Sequence, residues 1–354
     1  MERTFCDVDS LVLSQFSYLK FDGIVPDVDS GKAAVGISEI AEHADYEKLF
    51  SDERYREVNE ELFQAVRQSR RFGTMKLNFY ENIIDVNKET QFSAVTYLLE
   101  DGTVFIAFRG TDETIVGWKE DFNMTFMEPV TGQLISVKYL NHTAGKFAGP
   151  FLLGGHSKGG NFAVFAAMKC KEEIRMRIQR VYSHDGPGFR PEVLRSGEYE
   201  AIESRVCKIL PHSSVVGMLL QHQENYEVVS CKKFGLMQHN PFNWVIQGED
   251  FVRVKDIYYG RRLLDEAVNE WILSLPQEQL TFFVDTLFQI IEASEADNLI
   301  DMAAEWKKSA MGVLGALKEL DADTAGMLKK ILKSLFEIIS HRVKQEFGNK
   351  KASL

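Results

Sequence analysis

Ser157 stands in the run Gly154-Gly155-His156-Ser157-Lys158-Gly159-Gly160, between the apolar stretch Phe151-Leu152-Leu153 and residues 161–168, which read as a buried helix. A Gly-x-Ser-x-Gly pattern between a strand and a helix has the form of a nucleophile elbow. Such a turn strains the serine backbone and crowds its neighbours. Gly155 and Gly159 remove that crowding, so the Ser157 hydroxyl can project clear of a sheet. A glycine-rich turn with an idle serine is the plainer reading, and the flanking strand and helix argue against it.

A serine hydroxyl is a weak nucleophile at neutral pH and needs a general base within hydrogen-bond reach. On a sheet of this kind the chain order is serine, acid, histidine. Five histidines follow Ser157: His184, His212, His222, His239 and His341. His341 falls in a terminal helix and His184 comes too early. His239 follows the last predicted strand, in a polar loop broken by Pro241, where the base belongs; His222 is the reserve. The acid must end a strand beside that loop, where it holds the imidazole tautomer and stabilises the imidazolium. One strand end offers Asp185, in Ser183-His184-Asp185-Gly186-Pro187. The next offers only Ser213 and Ser214, which carry no charge. Asp185 is therefore the candidate, although it could instead cap the Gly-Pro turn. An oxyanion needs aimed backbone N–H groups. Lys158, directly after the serine, should supply one through its backbone. Thr111, in Arg109-Gly110-Thr111, should supply the second and could add its hydroxyl. Arg109 and Asp121 could equally pair to fix that loop.

These residues need a sheet to hold them, and the pattern of the chain supplies one. Residues 8–24 have mostly helical spacing, and 37–50 and 53–70 read as amphipathic helices covering one side of a core. From Lys76 the period changes. Strands are predicted around Leu77 and Phe79, over 92–99 and over 103–108, with Glu100-Asp101-Gly102 as a hairpin turn. A helix over 133–148 leads to the strand that delivers Ser157. Strands follow at 180–183, 206–210 and 226–230, with a helix opening at Pro191. The alternation implies an α/β fold with a mostly parallel central sheet. Past residue 260 the strands stop, and helices are predicted over 263–275, 277–291, 298–320 and 324–347. The expected organisation is a helical region over 1–75 packed on the core, an α/β core over 76–258 and an all-helical extension over 259–354.

Bulk composition narrows the partners. With 45% hydrophobic and 26% charged residues the chain has an ordinary globular composition, and its net charge of −11 leaves no basic surplus to neutralise phosphates. Nucleic acid is therefore not an expected partner. The four cysteines, Cys6, Cys170, Cys207 and Cys231, are scattered without C-x-x-C spacing, which fits buried thiols in a reducing compartment and no metal site. The first residues lack an apolar signal core and no run approaches membrane-spanning length, so a cytoplasmic protein is expected. The last helix sets Leu328, Ile331, Leu332, Leu335, Ile338 and Ile339 against Lys329, Lys330 and Lys333. It could touch a membrane surface weakly, but packing against neighbouring helices is the commoner role of such a face.

The segments Val104-Phe-Ile-Ala-Phe-Arg-Gly-Thr111, Trp118, Asp121-Phe122 and Gly155-His-Ser-Lys-Gly-Gly160 together resemble the fungal-type (class three) triacylglycerol lipases. The resemblance covers about residues 76–250. Across its whole length the chain is still more similar to a bacterial family of lipase-like α/β-hydrolases, through Gly-His-Ser-Lys-Gly-Gly-Asn, Ser-Val-Val-Gly-Met-Leu and Gln-His-Asn. The resemblance implies an α/β-hydrolase fold, with Ser157 as nucleophile, His239 as base and Thr111 in the oxyanion hole. It implies a lipase- or esterase-like activity on lipid-like esters, without metal or cofactor. Two departures stand out. Lys158 replaces a leucine, and the segment that carries the lipase acid reads Ser213-Ser214-Val215-Val216-Gly217 here. A triad then requires the acid to have moved to Asp185, the position that resembles that of pancreatic-type lipases. A degenerate hydrolase that binds an acyl ligand or partner without turnover, or an acyltransferase, would carry the same motifs.

Overall fold

The computed structural model describes residues 4–52, 55–112, 114–220, 225–233, 235–257, 259–293 and 320–352. His222 and most of the helix predicted over 298–320 lie outside the described residues. The chain forms two compact units, the first comprising Met1–Asp112 with Thr131–Ile257 and the second Glu113–Val130 with Tyr258–Leu354.

The first unit is built on a sheet of nine strands among the described residues. Its strands are β1 (Val35–Gly36), β2 (Lys76–Asp85), β3 (Thr90–Leu98), β4 (Val104–Phe108), β5 (Phe151–His156), β6 (Ile178–His184), β7 (Val206–Pro211) and β8 (Glu227–Val229). A small hairpin, β9 (Ile246–Gln247) and β10 (Asp250–Phe251), precedes β11 (Arg253–Val254), which pairs antiparallel with β8 as the last strand of the sheet. From β4 to β8 every pairing is parallel and in chain order, while β1 to β4 form an antiparallel flank. The sheet is thus mixed, with the parallel half predicted from the alternation of strands and helices. Two-residue strands such as β1 and β11 have no periodicity to read, and neither is predicted from sequence.

The helices of this unit are α1 (Asp7–Phe16), α2 (Ile37–His43), α3 (Tyr46–Leu49), α4 (Arg56–Gln68), α6 (Thr131–Ala144), α7 (Lys158–Lys169), α8 (Glu172–Arg175), α9 (Pro191–Leu194) and α10 (Gly197–Glu203), while α5 (Ile115–Asn123), between α4 and α6 in the chain, belongs to the second unit. Because β4 to β8 are laid down in one direction, right-handed crossovers put α6, α7 and α10 on one face. There Phe92, Phe108, Tyr139 and Phe162 pack ring against ring. Alternate residues of the same strands face the other way. On that side Phe105, Ala107, Leu152, Tyr182 and Ile209 join one buried cluster with Leu11, Leu13 and Phe16 of α1. With both faces covered, β5 is buried along its whole length, a place its apolar start Phe151-Leu152-Leu153 suits. The loops that leave the carboxyl ends of β4 to β8 carry the candidate residues, as is general for sheets of this kind.

The second unit contains α5, α11 (Tyr259–Ser274), α12 (Gln277–Ala293) and α13 (Ala322–Ala352). The Trp271 indole N–H donates to the Ile331 carbonyl at 3.2 Å, and Arg342 pairs with Glu266 and Glu270. Phe122 of α5 meets Phe288 of α12 edge to face, beside a Lys119–Asp285 ion pair of 2.8 Å. Among the described residues no helix is long and apolar enough to cross a membrane.

Candidate active site

Ser157 sits between β5 and α7 with φ +58° and ψ −134°, a backbone conformation that serine rarely adopts. Its N–H donates to the His184 carbonyl at 2.9 Å, and the Gly160 N–H donates back to its own carbonyl at 2.9 Å. The surrounding glycines explain how the turn closes. A Cβ on Gly155 would lie 2.2 Å from the Gly159 backbone, and one on Gly159 would lie 2.0 Å from the Phe108 carbonyl oxygen. Backbone meets backbone there, so no side chain can move aside.

Lys158 is the first residue of α7, where N–H groups have no acceptor inside their own helix and the helix end carries partial positive charge. Its side chain is fully buried, with Nζ 5.7 Å from the centre of the Phe162 ring. A Cβ on Gly110 would lie 3.0 Å from the Ser157 Cβ, which puts the backbone before the buried Thr111 against the elbow. Arg109 is fully buried and donates to Asp112 at 3.2 Å and to the Asn82 side chain at 3.0 Å.

Asp185 directly follows β6 with φ +49° and is fully buried. Its Oδ2 lies 2.6 Å from His239 Nδ1. Oδ1 accepts from the Ser214 hydroxyl at 2.5 Å and from the Gly217 N–H at 3.2 Å. A carboxylate only accepts, so the Nδ1 contact puts a proton on that nitrogen and leaves Nε2 of the neutral ring as a lone-pair acceptor. His239 closes a 3₁₀ turn, Gly235–His239, with its side chain 20% exposed. The structure therefore brings Asp185 and His239 together.

His239 also reaches the elbow. The ring of His156, next to Ser157, is centred 4.6 Å from the His239 ring, and its Nε2 donates to the His239 carbonyl at 2.8 Å. Tyr18 OH meets His156 Nδ1 at 3.1 Å from the α1 side of the sheet. Gln238 ties the same loop to the one after β7. Its Oε1 accepts from the Ser213 N–H at 2.7 Å and its amide nitrogen contacts His212 Nε2 at 2.9 Å. No local pattern marks Tyr18, His156, Gly217 or Gln238 for these contacts. Only the Ser213-Ser214 pair gave a signal, as two hydroxyls at a strand end where a carboxylate was expected.

His184 points to the opposite face, where its Nε2 contacts Ser10 Oγ at 2.7 Å; burial holds the imidazole down at about 3, so it stays neutral. Lys208 of β7 is also buried, and desolvation pulls its ammonium down to about 7 against the opposing attraction of Asp185. Among the described residues, one group has the spacing for a metal, Asp7 with Cys207 and Glu227. Arg253 already donates to Asp7 at 2.7 Å and to Glu227 at 2.5 Å, so a guanidinium supplies the positive charge there.

An elbow serine after β5, the middle strand of the sheet, within a chain-ordered parallel array, with α1 on one face and the crossover helices on the other, is the α/β-hydrolase architecture. Solved structures similar to the chain include M37 lipase, at 14% identity and a TM-score of 0.39 over 61% of this chain and 70% of that one. The Rhizomucor miehei lipase propeptide complex matches at 17% identity and a TM-score of 0.35, over 57% of this chain and 71% of that one. The lipase from Rhizopus microsporus var. chinensis matches at 15% identity and a TM-score of 0.34, over 61% and 85%. No curated protein sequence matches the chain. The Mbeg1-like family model matches residues 66–289, which take in the sheet from β2 onward, the elbow and the His239 loop, and the chain belongs to the Mbeg1-like family.

Proposed function

We propose that the chain is a serine hydrolase that cleaves carboxylic esters through an acyl-enzyme. Ser157 Oγ attacks the ester carbonyl carbon while His239 Nε2 takes its proton. The oxygen of the tetrahedral intermediate is held by the backbone N–H groups of Lys158 and Thr111. Collapse breaks the bond to the alcohol, which leaves with the proton from His239. Water then enters by the same route, releases the acid and restores Ser157. Asp185 keeps His239 in the productive tautomer and balances the imidazolium. One observation carries this reading: the 2.6 Å contact of the buried Asp185 with His239 Nδ1, which supplies an acid where the β7 end offers none. Lipid-like acyl groups are the proposed substrates, on the motif resemblance, and the four free thiols favour the cytoplasm.

Labelling with a fluorophosphonate tests the proposal. Folded protein should be modified at Ser157 and should hydrolyse short p-nitrophenyl esters, Ser157→Ala should do neither, and Asp185→Asn should react about a thousandfold more slowly. Absence of label on folded wild-type protein would sink the enzyme reading. Product analysis with an added alcohol separates hydrolysis from acyl transfer.

A further inference from the structure

The carboxylate of Asp185 has two oxygens, and only one of them faces the histidine. The other is held by the loop after β7. Ser214, itself buried, gives its hydroxyl to Oδ1 at 2.5 Å, and the Gly217 N–H adds a second bond at 3.2 Å. The fit leaves no spare room. A Cβ at Gly217 would lie 2.4 Å from that same oxygen and 2.3 Å from the Leu210 side chain. The loop is itself braced, because the Ser214 N–H donates to the Pro211 carbonyl at 2.9 Å and Gln238 accepts from the Ser213 N–H at 2.7 Å. One short loop thus touches both the acid and the turn that carries the base.

We propose that Ser214 is a positioning residue for the reaction: its hydroxyl, with the Gly217 N–H, clamps Oδ1 of Asp185 so that Oδ2 is aimed at His239 Nδ1. This inference rests on the ester-hydrolase reading above. The need for a clamp follows from the backbone. Asp185 sits at φ +49°, just past the end of β6, where ladder geometry does not direct its side chain. A hydroxyl donating to an ionised carboxylate makes a bond about twice as strong as a neutral one. Two such donors on one oxygen fix the rotation of the carboxylate plane as well as its place. The charged and titratable groups around the acid are His239 at Oδ2, the buried Lys208 on β7 and the Cys231 thiol, whose proton Asp185 helps to retain. Ser213 and Ser214 lack the charge of a triad acid, and in this arrangement Ser214 serves the acid that has moved to the neighbouring strand.

Steady-state kinetics on a p-nitrophenyl ester, with the rate of fluorophosphonate labelling, test the clamp. Ser214→Ala should lower kcat and the labelling rate about tenfold with KM unchanged, in protein that stays folded at the assay temperature, and Ser214→Thr, which keeps the hydroxyl, should recover most of the loss. The clamp is overturned if Ser214→Ala stays within twofold of wild type, or if Ser214→Thr is as slow as Ser214→Ala. The control is Asp185→Asn. If that variant is slow while Ser214→Ala is not, only the clamp fails. If wild-type protein is not labelled at Ser157, the hydrolase reading fails and takes the clamp with it.

Discussion

The imidazole of His156 is held in one tautomer by Tyr18 and the His239 carbonyl. A carbonyl only accepts, so Nε2 carries the proton that goes to the His239 carbonyl, and Nδ1 of the neutral ring accepts from Tyr18 OH. Residues from the N-terminal segment and the elbow thus join to hold the loop of the base. Tyr18→Phe removes one donor to a buried imidazole. The expected result is a loss of about 1 kcal/mol in urea unfolding and a fall of a few fold in ester turnover. Unchanged turnover would mean that the His239 loop does not depend on this link. The residues of this site differ in how readable they are. Ser157 has a local signature, and His239 and Asp185 follow from chain order and from where strands end. Tyr18, Ser214 and Gln238 act across 138, 29 and 25 positions of sequence respectively, on partners that local pattern cannot identify.

The junction between β4, β5 and α7 closes backbone against backbone. Gly155 and Gly159 let the start of α7 pass against the carbonyl of Phe108, where any Cβ would meet backbone at about van der Waals overlap. Gly159→Ala should therefore cost about 3 kcal/mol, read as a lower urea midpoint, because neither chain can yield without moving a central strand. An unchanged midpoint would show that the junction has slack. On the far face, α1 covers Phe105, Leu152 and Tyr182 with Leu11, Leu13 and Phe16, all in one cluster. Removing residues 1–22 would expose that face, and the truncated chain should be insoluble or lose its cooperative unfolding transition. A truncated chain that still unfolds cooperatively would argue that the sheet is complete without α1. The long strands were legible because near-continuous apolar runs mark buried parallel strands. The two-residue strands and the His239 turn were not, since their pairing depends on neighbours brought together by the rest of the fold.

Across the whole molecule, burial of ionisable groups sets a definite pH dependence for stability. His184 takes a proton below about 6.5 when unfolded but only below about 3 when folded. Between those values the unfolded chain binds more protons, so stability falls as pH drops, by about 1.4 kcal/mol per unit. Asp7 and Glu81, raised by burial, act in the opposite sense within the carboxylate range, so the slope is cleanest between about pH 5 and 6.5. Lys208 follows the same logic higher up. Its ammonium titrates near 7 when folded and 10.5 when unfolded, so stability rises with pH across that span, and Lys20, lowered chiefly by burial, adds to the rise. The thiols reverse it. Cys170 and Cys207 are pushed up to about 11 and Cys231 to about 12 from 9.0, so above pH 9 the unfolded chain loses their protons first. Three thiols outweigh one fully buried lysine, and the buried tyrosines, raised by burial, join them at still higher pH. The maximum should therefore lie near pH 9, well above the isoelectric point of 5.4. Urea unfolding of reduced protein at pH 5, 6.5, 9 and 10.5 measures the curve. Lys208→Met should flatten the climb between pH 7 and 9 while leaving the acid slope in place. A wild-type curve that is flat or falling from pH 6.5 to 9 would show that Lys208 keeps its proton in the fold, paired more strongly than its surroundings imply.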